Sequence, residues 1–143
     1  MRPKLCIYLS LFILNFGMKS VVAQTPEKKV RIAKIEIYPD SLEAYKEALA
    51  EHASMAVKVE PGVLALEAVF EKAHPNMVTV LEVYASEAAY QAHLRTEHFL
   101  KYKTGTLKMV KALELIEVTP IAIEIKPELS SESIRPKHPT GKN

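Results

Sequence analysis

What most constrains this chain is the order in which its hydrophobic periodicities change between residues 30 and 118: strand, helix, strand, strand, helix, strand. Residues 30–38 (Val-Arg-Ile-Ala-Lys-Ile-Glu-Ile-Tyr) are a β-branched run that stops at Pro39, the pattern of a first strand. Asp40-Ser-Leu-Glu43 has the form of a capping box. Behind it Leu42, Tyr45, Leu49, His52, Ala56 and Val59 recur at helical spacing until Glu60-Pro61-Gly62 closes the helix. Two further strands, Val63–Glu71 and Met77–Tyr84, flank Lys72–Asn76, whose Pro and Asn suit a hairpin loop. Ser86 is a good N-cap for a short helix over Glu87–Leu94. Thr96 and Glu97 can start another helix that runs to about Met109 with Gly105 in its middle. Ala112–Val118 reads as a fourth strand, and Ile121–Ile125, after Pro120, as a short fifth at an edge.

This order is the βαββαβ arrangement of a ferredoxin-like α+β fold, with helices on one face of an antiparallel sheet and the second helix divided. The expected strand faces carry Ala33, Ile35, Ile37, Leu64, Leu66, Phe70, Leu81 and Val83 on one side, and Ile32, Ala65, Val69, Val78 and Val80 on the other. Lys34, Glu36, Glu67, Glu82 and Tyr84 are the polar exceptions on the second face. That face is too apolar for water, so a homodimer packed sheet on sheet is expected.

The ends differ from the middle. Arg2 and Lys4 precede an apolar run from Leu5 to Phe16, and the small-residue site Val21-Val22-Ala23 precedes Gln24, the layout of a signal peptide over residues 1–23. The run is shorter than the roughly 20 residues that span a bilayer, and Asn15 interrupts it. An exported protein, periplasmic or secreted and without membrane contact after cleavage, is expected. Residues 28–126 form the expected domain, and the Pro-rich tail 127–143 has a composition that cannot offset ordering entropy.

Cleavage removes Arg2, Lys4 and Lys19, so 19 basic residues become 16 against 17 acidic ones, and the net charge moves from +2 to −1. No basic excess is left to attract nucleic acid. Cys6, the single cysteine, leaves as well, which excludes disulfides, thiol nucleophiles and cysteine-ligated metal. His93 and His98 are five apart, neither of the spacings that place two ligands on one helix face, so no metal site is expected.

Three segments carry a resemblance. Glu51-His52 leads into Glu60-Pro-Gly-Val-Leu-Ala-Leu-Glu67; Glu82-Val-Tyr84 continues through Ala89, Tyr90 and His93 to His98-Phe99; and Met109-Val110 continues through Leu115 to Pro120. On these segments the chain resembles the antibiotic biosynthesis monooxygenase superfamily, especially its small quinol-monooxygenase-like members. The resemblance implies a dimeric α+β barrel, and members that oxygenate without flavin, haem or metal. An electron-rich quinol or dihydroxyarene reduces oxygen itself once a base has taken its proton, so the protein supplies a base, an apolar pocket and exclusion of water.

His52 and His93 are the catalytic candidates, because imidazole titrates near neutrality. His52, on the inward stripe, is the base, orients a substrate hydroxyl, or hydrogen-bonds within the core. His93 shares a helix face with Ala89 and Tyr90. The expected pocket residues are Tyr84, Tyr90, His98, Phe99 and Glu82. Tyr84 stands where some members place Trp, Tyr90, Phe99 and Tyr102 double as packing residues, and His98 doubles as a group that caps or positions its helix. His74 and His138, in loop and tail, carry no signal. Haem-degrading relatives share the fold, but Tyr84 replaces their Trp, and neither His93 nor His98 clearly matches their iron ligand. An isomerase and a non-catalytic secreted binder of small apolar ligands remain alternatives.

Overall fold

β-branched runs become the four strands of one antiparallel sheet in the computed structural model, which describes residues 27–126. The expected signal peptide and the Pro-rich tail lie outside the described residues. In chain order the elements are β1 (Lys29–Ile37), α1 (Leu42–Val59), β2 (Val63–Phe70), β3 (Met77–Tyr84), α2 (Glu87–His93), α3 (Glu97–Thr106) and β4 (Val110–Val118). The strand order β2-β3-β1-β4 is ferredoxin-like and places β1 and β3 at the centre. Residues Ile121–Ile125 form no strand, which corrects the expected fifth one: they bond to no edge among the described residues.

Residues directly opposite one another on antiparallel strands share a face. Arg31 lies opposite Glu82, Ala33 opposite Val80 and Ile35 opposite Val78. The helix-covered face is therefore Ala33, Ile35, Ile37, Val78 and Val80, packed by Tyr45 and Leu49 of α1. Leu81 and Val83 instead stand opposite Ile32 and Val30 on the face away from the helices, where Val30 and Val83 are buried at its end. The expected facing of β3 was thus inverted. Both of its phases are apolar, so alternation alone could not choose between them. Glu82 and Tyr84 move with Val80 to the helix side, beneath α2. Leu64 leaves the core face, because β2 shifts register between Val63 and Ala65 and Leu64 is exposed.

α1 buries Tyr45, Leu49, His52 and Ala56, the larger apolar side chains contributing on the order of 2 kcal/mol each. Two details of its ends differ from expectation. Pro39–Ser41 winds a 3-10 turn and Ser41 makes no side-chain cap, so the capping box does not form. Val59, 52 % exposed, lies outside the stripe. The caps of the divided second helix do form, with Ser86 Oγ accepting from the Ala89 N–H at 3.1 Å and Thr96 Oγ1 from the Phe99 N–H at 3.3 Å. α3 ends at Thr106, so Gly105 sits in its last turn rather than its middle. Gly62, just after α1, lets α2 approach closely: a Cβ there would stand 2.5 Å from the Ala89 Cβ.

Candidate functional site

Three helix ends meet over β3. Glu60 is the C-cap of α1, His93 the last residue of α2, and His98 lies in the first turn of α3. The bend between α2 and α3, held by the Thr96 hydroxyl donating to the His93 carbonyl at 2.8 Å, reverses the chain so that both imidazoles face one carboxylate. Glu60 Oε1 accepts from His93 Nδ1 at 2.8 Å and from His98 Nε2 at 2.6 Å. The five-residue spacing separates two ligands only on a continuous helix, and here the helix breaks. Glu60 was missed as a site residue. Its signal was available: a carboxylate at a helix C-terminus opposes the helix dipole and calls for a compensating partner.

His52 reaches the same cluster from α1. Its ring centroid lies 5.3 Å from that of His93, 5.6 Å from His98 and 5.8 Å from Phe99, and it stacks on Tyr102 at 4.6 Å. Burial, helped by the two neighbouring imidazoles, lowers its pKa to about 4, so His52 is neutral at pH 7. Its Nδ1 is buried with no hydrogen-bond partner among the described residues. The Tyr102 hydroxyl pairs with that of Tyr45 at 2.7 Å.

Beneath His93 lies an aromatic wall. Tyr84 stands 5.4 Å and Phe99 4.9 Å from His93 between ring centroids, and Tyr90 packs edge-on against Tyr84 at 5.2 Å. The Tyr84 hydroxyl donates to Glu82 Oε2 at 3.2 Å. Burial raises the Glu82 pKa, opposed by the Arg31 charge and the Tyr84 hydroxyl. Burial, with the Glu82 charge beside it, likewise raises Tyr84. Arg31 bonds the Tyr90 hydroxyl and lies over its ring.

All seven residues singled out from the sequence therefore meet in one region, in two layers. A cleft of about 490 Å³ between α1 and α3 is walled by His52, His98 and Tyr102. His93, Tyr84, Tyr90, Phe99 and Glu82 sit behind it, with His93 only 2 % exposed. The arrangement offers a carboxylate-backed imidazole pair, a neutral imidazole and an apolar aromatic wall. Together these can accept a proton from a flat hydroxylated ring and hold the ring away from water. The helices of the described residues are not long and apolar enough to cross a membrane.

Comparison with known proteins agrees with this architecture. A protein from Bacteroides thetaiotaomicron VPI-5482, named an antibiotic biosynthesis monooxygenase, is 51 % identical with a TM-score of 0.67, over 70 % of this chain and 95 % of that one. A Lactobacillus acidophilus NCFM protein, named a monooxygenase, is 27 % identical with a TM-score of 0.64; the match takes in 68 % of this chain and 46 % of that one. A Nitrosomonas europaea structure at 20 % identity and TM-score 0.62, covering 66 % of this chain and 99 % of its own, shares the fold. No curated protein sequence matches the chain. The family described as antibiotic biosynthesis monooxygenase matches residues 30–105, a span that holds every side chain of the cluster, and the chain belongs to that family.

Proposed function

We propose that this chain is an exported, homodimeric enzyme that oxidises a quinol or polyphenol with O2 and needs no cofactor. Family membership supports a monooxygenase-like function in general. The substrate class and the oxidant are our reading of the residues. The observation that carries it is Glu60 gripping His93 and His98 beside the neutral His52, which with His98 and Tyr102 walls the cleft.

When Nδ1–H of His93 donates to Glu60, a neutral ring presents its lone pair at Nε2, and the carboxylate balances the positive charge that proton uptake creates. His98 is held in the same way through Nε2. His52, uncharged, hydrogen-bonds a substrate hydroxyl and orients it. Removal of the hydroxyl proton makes the ring electron-rich enough to reduce O2. One oxygen atom enters a ring C–H bond to give a hydroxyquinone, and the other leaves as water with the two hydroxyl hydrogens, so the ring's four-electron oxidation balances the reduction of O2. The uncovered sheet face, with Ile32, Leu81, Ala65 and Ile116, is the surface a second copy would cover.

Oxygen uptake on adding a reduced naphthoquinol tests the reading. The wild-type chain should exceed the autoxidation rate, and Glu60→Gln or His93→Ala should lower the enzymatic rate by about 100-fold or more, the usual yield of general-base catalysis. Wild-type uptake at the autoxidation rate, or folded variants with full activity, would contradict it.

A further inference from the structure

The same carboxylate and imidazoles have a second capacity. We propose that Glu60, His93 and His98 form a binding site for one divalent transition-metal ion, with zinc the ion their chemistry fits best. One ligand atom from each residue lies within 4.8 Å of the other two. Two imidazole nitrogens and a carboxylate oxygen are the donors that borderline ions such as Zn2+, Co2+ and Ni2+ take, and a set of three leaves a coordination position open. Donors at about 2.0–2.2 Å from tetrahedral zinc stand about 3.3 Å apart. The present hydrogen bonds of 2.8 and 2.6 Å must therefore open by about 0.5–0.7 Å, and the two imidazole nitrogens, within 4.8 Å of each other, must settle at the same spacing to admit the ion.

A second observation points the same way. His52 is 6 % exposed, its Nδ1 has no partner among the described residues, and its ring stands 5.3 and 5.6 Å from those of the two imidazole ligands. A group that hydrogen-bonds a metal-bound water has that character. The backbone is also braced: the Thr96 hydroxyl donates to the His93 carbonyl at 2.8 Å and so holds the bend that brings the two imidazoles to one carboxylate. The His93 side is deeply buried, whereas His98 borders the cleft, so an ion enters from the His98 side.

This inference goes beyond the monooxygenase reading and does not depend on it. In that reading the ion-free cluster is the base. An ion on His93 Nδ1 obliges Nε2 to keep the remaining ring proton, so the loaded form lacks the base.

The test uses Co2+ and Zn2+ alone, added without any quinol to the purified full chain after chelation. One Co2+ per chain should bind with the intense visible bands of a low-coordinate site, and Zn2+ should displace it. Wild-type Co2+ protein should also show paramagnetically shifted histidine ring resonances, a readout that needs no variant. Glu60→Gln and His98→Gln, checked for folding by circular dichroism, should weaken Co2+ binding at least about 10-fold. His74→Gln, in the exposed β2–β3 loop, should leave it unchanged. The proposal is overturned by the lack of saturable Co2+ uptake and shifted resonances in the wild type. Uptake that survives intact in folded Glu60→Gln and His98→Gln, or that His74→Gln removes, would overturn it as well.

Discussion

Replacing Gly62 by Ala should push α2 off the sheet and weaken the protein by about 2 kcal/mol, within the 1–3 kcal/mol range of overpacked sites. The new Cβ would meet the Ala89 Cβ at 2.5 Å, against ordinary contact at 3.4–4 Å, so something must move by about 1 Å. The Ala89 Cβ is bonded to the helix backbone and cannot swing aside. α2 is only seven residues long, and its start is tied to the same turn by the Ala85 N–H donating to the Gly62 carbonyl at 2.9 Å. Since α2 carries His93, the displacement also strains the bond to Glu60. Equilibrium urea unfolding should show a midpoint lower by about 1 M for an m-value near 2 kcal/mol/M. Ala89→Gly alone costs about 1 kcal/mol of helix propensity, yet it removes the colliding atom. The double variant should therefore be more stable than the sum of the two single changes by about 1 kcal/mol or more. Strict additivity would refute the close approach of α2 to the β2 entry.

Three further expectations follow from the same geometry. The folded-state pKa of His52, about 4, is depressed below its ordinary 6.5. The unfolded chain therefore takes the proton first, and stability is lost as pH falls from about 6.5 towards 4, by on the order of 3 kcal/mol. Unfolding in the presence of chelator should show that fall in the wild type and a shallower one in His52→Gln. Tyr102→Phe strands the buried Tyr45 hydroxyl and should cost about 1 kcal/mol, while the Tyr45→Phe/Tyr102→Phe pair should recover part of it in a double-mutant cycle. Sedimentation should give twice the mass of one chain, and Leu81→Glu, on the uncovered sheet face, should halve it; a wild-type monomer would remove the sheet-on-sheet dimer.

Much of the fold is legible in the residues because strong local signals coincide. Met77–Tyr84 is bounded by Pro75-Asn76 and by Ser86, and Ser86 and Thr96 cap the helices expected of them. The facing of β3 was not legible, since Val78 and Val80 compete with Leu81 and Val83 on equal terms. The pairing that decides it, Glu82 opposite Arg31, is long-range. Nor was the absence of a cap at Asp40 or Ser41, where Pro39 opens a tight turn instead. In the site, each histidine could be singled out by its place on a stripe or near a helix end. That two of them share Glu60 depends on the angle between α2 and α3, which no spacing rule contains.

In the proposed reaction the imidazole cluster drives insertion of one atom of molecular oxygen into an electron-rich ring, a step that isotope labelling follows atom by atom. Turnover of a naphthoquinol under 18O2 should give a hydroxyquinone carrying one heavy oxygen atom, with the label lost together with activity in Glu60→Gln. A product free of the label, or hydrogen peroxide formed in equal amount to unhydroxylated quinone, would contradict the account.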